Sequence, residues 1–174
     1  NNEKALNAMK KACELDSKYP RLWLEFDQLA AKVGISNKQR LEIMQSHLDI
    51  TKQRDDLYLR YITLLNCVGE YEKALNALQS HRFHPWEGGE GKVITQYKYA
   101  LIHLAIMNIK NNNPNKAVEL LLSTLTYPDN LGEGKLPNVN DHQAYYYLGI
   151  AYQMMDEKNE AEKYWTLATK GSTT

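Results

Sequence analysis

The sequence predicts an all-α fold, a solenoid of about four and a half helical hairpins carrying two inserted loops. Three observations point to it. A pattern of aromatic, Leu-Gly, aromatic and Ala residues near the C-terminus returns upstream. The anchor positions of successive second helices, Ala5, Arg40, Ala74, Ala117 and Ala161, lie 35, 34, 43 and 44 residues apart. The tetrapeptide GEGK occurs twice, at Gly89 to Lys92 and at Gly132 to Lys135, a separation of 43 residues. A period in this range marks units that cannot bury their apolar faces alone and form a core by stacking.

The units follow in order. Glu3 to Asp16, with Ala5, Met9 and Ala12 on one face, reads as the second helix of a hairpin, a half repeat over 1–18. Because position 1 is Asn, we expect a segment of a longer chain entered mid-repeat. The unit over 19–50 begins at Trp23 and Phe26, turns at Gly34 and restarts at Ser36-x-x-Gln39, a capping box in which the two side chains satisfy each other's backbone amides. The unit over 54–82 carries Tyr58, Tyr61, Leu65, Gly69, Tyr71, Ala74 and Leu78. That over 93–126 has Leu101, Leu104 and Ala105, then Asn113 placed to cap, Pro114 at the first helical position, and Ala117. The last, over 140–170, has Tyr145, Leu148, Gly149, Tyr152, Ala161, Trp165 and Ala168, with Asp156 at the turn. Here large residues fill gaps while Gly149 and Ala161 let two helices approach closely. This spacing resembles the tetratricopeptide repeat over nearly the whole chain. The resemblance implies a right-handed α-solenoid whose first helices line a concave surface.

Composition narrows the function. The 174 residues suit one domain or one short solenoid, so a single unit over 1–174 is expected. Lys plus Arg balances Asp plus Glu at 21 each, which disfavours nucleic acid, a partner that demands a concentrated basic surface. The longest apolar run, Tyr99 to Ile109, falls short of the roughly 20 residues of a membrane span. No secretory pattern opens the chain, and the cytoplasm is the favoured compartment. Cys13 and Cys67 read as buried small apolar residues. No nucleophile, base and orienting group fall together, so neither an enzyme nor a cofactor is expected.

The two long steps place insertions of roughly nine or ten residues beyond the usual period of about 34. One spans 83–92, within HRFHPWEGGEGK. The other spans 127–139 and begins YPDNLGEGK. Both sit at the same hairpin junction, so a regular stack would set them side by side, next to the N-terminal ends of the following helices. His84, Trp86, Glu87, Glu90, Lys92, Glu133 and Lys135 are the loop-edge candidates. The Gly-Lys pairs lack the other residues of a phosphate-binding loop. His81, His84 and Glu87 have no further ligand to complete a metal site, and none is expected. Glu90 and Glu133 could pair as acid and base only within about 5–10 Å of each other. Their flanking glycines instead suggest positive φ, with the carboxylates bonded to local backbone or Lys.

Carried through the repeat frame, ligand-facing positions of the first helices are Arg21, Glu25 and Gln28, then Asp56, Arg60, Thr63 and Asn66, then Tyr99, His103 and Ile106, then Gln143, Tyr146, Tyr147 and Ile150. Of these, Arg60, Asn66, Tyr99, His103, Gln143, Tyr146 and Tyr147 form the expected partner-binding groove. The chain has 12 Tyr against 2 Phe, and most of those Tyr sit at packing positions, which leaves Tyr99, Tyr146 and Tyr147 for ligand contact.

HPWEGGEGK and, one repeat later, YPDNLGEGKL resemble the C-terminal tetratricopeptide region of large bacterial proteins that carry an N-terminal β-rich domain of unknown function. That resemblance implies a non-catalytic arm beside a domain similar to carbohydrate-related β-sandwiches. The leading expectation is a scaffold that binds a peptide, a partner protein or a domain of its own chain along the groove and loop edge. The alternative is a carbohydrate or small-ligand pocket built from Trp86, Tyr99, Tyr146, Glu90 and Glu133, an aromatic platform beside fixed polar groups.

Overall fold

A computed structural model describes residues 2–137 and 139–170. Positions 1, 138 and 171–174 lie outside the described residues, and with them one position each of the expected half repeat and second loop. Among the described residues the fold is all-α, with no strand. The helices are α1 (Asn2–Leu15), α2 (Pro20–Lys32), α3 (Asn37–Ser46), α4 (Leu48–Thr51), α5 (Asp55–Cys67), α6 (Tyr71–Ser80), α7 (Lys92–Lys110), α8 (Pro114–Ser123), α9 (His142–Met154) and α10 (Lys158–Thr169), with a short 3-10 turn at Asp129–Leu131. They form two compact units: Asn1–Glu70 with Trp86–Gly89, and Tyr71–Pro85 with Glu90–Thr174.

Local chemistry explains the boundaries. Pro20 and Pro114 occupy first-turn positions, where a missing amide costs nothing. Ser36 and Gln39 form the capping box, each side chain meeting the other's backbone amide at 3.3 Å. Asn113 occupies the N-cap of α8 but does not cap it, because its amide donates to Asn108 Oδ1 at 3.2 Å. Asn112 and Asp156 take φ of 56° and 59°, the left-handed turn conformation that Asn and Asp tolerate best.

In the first unit Cys13, Phe26 and Ala30 form a core against which Leu6, Met9, Leu22, Trp23, Ile35 and Ile43 pack. Asp27 is buried among them. Arg40 Nε and Nη2 donate to its two carboxylate oxygens, each at 2.8 Å, and Arg60 Nε donates to it as well. This explains why Arg stands at the anchor position where the other units have Ala: α3 supplies the fork that neutralises a carboxylate on α2. Helix α3 ends at His47, whose ring packs on Trp23 with centroids 4.0 Å apart. Cys13 is buried as expected, but Cys67 is exposed at the last turn of α5.

In the second unit α7 packs on α6 and α8, α8 on α9, and α9 on α10, with α7 also meeting α9. Ile102, Ala105, Ala117, Leu121, Leu148 and Ala151 form its core, and Tyr145, Tyr147, Tyr152 and Tyr164 close around it. Tyr152 and Tyr164 stack at 5.5 Å and 2°. Gly149 makes room for an indole: a Cβ built there would lie 2.2 Å from Nε1 of Trp165. The bare Cα is what lets α10 lie flat on α9.

Gly149→Ala is therefore expected to cost about 1–3 kcal/mol by overpacking. Pairing it with Trp165→Leu should recover part of the loss. Chemical denaturation of the four members of the cycle checks this, and strictly additive effects would contradict the close approach.

Candidate functional site

The loop edge is a set of helix caps supplied from a distance. The second loop closes both helix ends that border the first. Asn130 Nδ2 donates to the carbonyls of Leu78 and His81, each at 2.8 Å, which satisfies the C-terminal end of α6. The carbonyl of Asn130 accepts the Phe83 amide at 2.8 Å, and Phe83 and Leu131 are both buried. Gly132 has φ of 79°, and a Cβ there would lie 2.5 Å from the Phe83 carbonyl oxygen, so only glycine fits.

Glu133 then completes the other end. Its Oε2 accepts the Gly91 amide at 2.7 Å and its Oε1 accepts the Ile94 amide at 3.3 Å. Gly91 is the N-cap of α7 and has no side chain with which to cap. One carboxylate, 42 residues away in sequence, thus satisfies both the N-cap and third-position amides, and its charge faces the positive end of the helix dipole.

A third contact ties the loop to α9. Asp141, the N-cap of that helix, is buried and accepts from Lys135 Nζ at 2.8 Å and Lys98 Nζ at 2.5 Å. Lys98 also donates to the Tyr127 hydroxyl at 2.9 Å. Burial alone would raise the Asp141 carboxyl pKa, but the hydrogen bonds and charges of Lys135 and Lys98 outweigh it and hold it below its ordinary value. The Lys135 ammonium is pushed up by the same pairing.

The remaining loop candidates lie elsewhere. The Trp86 ring lies across Gly89, where a Cβ would come within 2.3 Å of it. His84, Glu87, Glu90 and Lys92 are exposed. Glu133 has both oxygens on backbone amides, so it bonds non-local backbone rather than the local groups expected of it. Arg82, Phe83, His84, Tyr127, Asp129 and Glu133 line a shallow cleft of about 500 Å³. Among the described residues no three His, Cys, Asp or Glu side chains converge as metal ligands would.

The first-helix face differs in character. On α7, Tyr99 is 42% exposed, and its ring meets His103 at 4.2 Å. His103 in turn stacks on Tyr71 of α6 at 4.8 Å and 17°. Burial lowers the His103 pKa, and the nearby Lys110 adds to the effect. On α9, Tyr146 is 52% exposed and braced edge-on by the half-buried Tyr147 at 5.3 Å, while Gln143 is exposed. In the first unit, Arg60 is engaged with Asp27. Asn66 is buried, not on the surface, because it follows the fully buried Ile62 by one helical turn.

Sequence reasoning missed Lys98, Tyr127, Asn130 and Asp141. A usable signal was present: Lys98 and Asp141 are 43 residues apart, the same as the repeat step. Opposite charges at that spacing are candidates for contact between neighbouring units.

Glu133→Ala should destabilise the second unit by about 1–2 kcal/mol, the range of a lost N-cap, and Glu133→Gln by less, as measured by thermal unfolding. The Asp141 cluster predicts an acid limb. Since the folded carboxyl titrates below its unfolded value, its stabilisation is complete above about pH 4 and lost as pH falls through the lowered folded value. Stability measured from neutral pH downwards should fall less steeply in that window for Asp141→Asn than for the wild type.

No family model matches the sequence. Solved structures share the fold, two of them being crystal structures of MamA. A crystal structure of MamA has a TM-score of 0.59 at 19% identity, covering 96% of this chain and 86% of that one. A crystal structure of MamA protein has a TM-score of 0.58 at 19% identity, covering 96% of this chain and 80% of that one. MamA is a tetratricopeptide-repeat protein, and this chain has a tetratricopeptide-like α-helical fold.

Proposed function

We propose that this chain is a non-catalytic protein-interaction segment that receives a partner polypeptide on the first-helix face of its second unit. The observation that carries the reading is the pair of exposed rings, Tyr99 and Tyr146, each held in place by another aromatic ring. An exposed ring loses few rotamers when it binds and offers a large apolar area with one polar end, the profile of an interface anchor. Tetratricopeptide-like folds typically serve as scaffolds for other proteins, which agrees with this use.

The loop edge enters the proposal as a brace. Glu133, Lys135 and Asn130 hold α6, α7 and α9 in register, and the binding face inherits their rigidity. A rigid face loses less entropy on binding. The proposed partner is a peptide or protein segment, whether from another chain or from elsewhere in the same one.

Selection of a displayed random-peptide library on the wild-type protein tests this. Enriched peptides should bind about tenfold more weakly to Tyr99→Ala and to Tyr146→Ala, a loss of about 1.4 kcal/mol. Glu119→Ala on α8 should leave binding unchanged. Equal affinity for all three variants would place the interaction elsewhere and overturn the reading.

A further inference from the structure

The charge of the first-helix face in the second unit is one-sided. Neither the 19 residues of α7 nor the 13 of α9 include an Asp or Glu, although the chain holds 21. Carboxylates of this unit sit instead on the second helices, Glu72 on α6, Glu119 on α8, Glu160 and Glu162 on α10, and in the connecting segments, Glu90, Asp129, Glu133, Asp141, Asp156 and Glu157. Asp141, at the N-cap of α9, is buried and already paired with Lys98 and Lys135. On α9 the exposed Gln143 is a neutral donor and acceptor, and the last turn of α7 carries the exposed Lys110. Met107 and Met154, 47% and 40% exposed, add adaptable apolar contacts.

On the interaction reading above, we infer that this face selects polypeptide segments with aromatic or long aliphatic anchors flanked by carboxylates or uncharged residues, and rejects segments flanked by Lys or Arg. A basic flank would shed water and meet no counter-charge on α7 or α9, while Lys110 repels it. An acidic flank meets Lys110 and no carboxylate of α7 or α9. Discrimination thus rests as much on the groups missing from α7 and α9 as on those present.

The test uses short fluorescein-labelled peptides that share Trp and Leu anchors and differ only in flanks of Asp, Ser or Lys, titrated by anisotropy at low and high salt. Asp and Ser flanks should bind at least about tenfold tighter than Lys flanks. The Asp advantage over Ser should shrink with salt and vanish in Lys110→Glu. Lys-flanked peptides that bind as tightly as the others, while Tyr146→Ala still weakens all of them, would overturn the charge inference and leave the interaction reading standing. Binding of every peptide unaffected by Tyr99→Ala and Tyr146→Ala would remove both.

Discussion

The second unit is organised around one carboxylate. A helix of 19 residues begins at Gly91, which cannot cap itself, and the free amides at its start must be satisfied by another part of the chain. Glu133 does so from the next loop along, and Asn130, three residues earlier, does the reciprocal work for the carbonyls that end α6. Because donor and acceptor come from consecutive repeats, the caps also lock those repeats together. The inserted loops are thus a substitute for the short turns of a regular repeat: longer chain, more ordering cost, recovered through helix ends that neither loop could satisfy alone.

This division of labour separates structure from recognition. In the second loop the charged groups are bound to backbone or to a neighbouring helix end: Glu133 on amides, Lys135 with Lys98 of α7 on Asp141. Tyr99 and Tyr146, by contrast, are exposed on helices. In the first unit the comparable first-helix charge, Arg60, serves the buried Asp27.

The hairpins were legible in the sequence because packing rules are local and periodic. The close helix approach at Gly149 and the Ser36–Gln39 box could be read from spacing alone. The repeated tetrapeptide suggested two versions of one loop, but the first GEGK runs directly into α7, with Gly91 as its N-cap, whereas the second ends six residues before Asp141, the N-cap of α9. The interlocking roles of the loops were not legible, since each cap joins residues about one repeat apart and no local pattern specifies which loop serves which helix. Asn66 was misplaced for a related reason: a surface position carried over from a repeat frame ignores the actual rotation of the helix, and in α5 that rotation turns Asn66 inward beneath Ile62. Cys67, one residue on, turns outward.

Backbone amide exchange at two positions probes the central claim most directly. If Glu133 holds the start of α7, the Gly91 and Ile94 amides are protected in the wild type and exchange much faster in Glu133→Ala, while amides in the middle of α8 keep their protection. Fast exchange of both amides in the wild type, or unchanged protection in the variant, would contradict the account of a helix capped from the neighbouring loop.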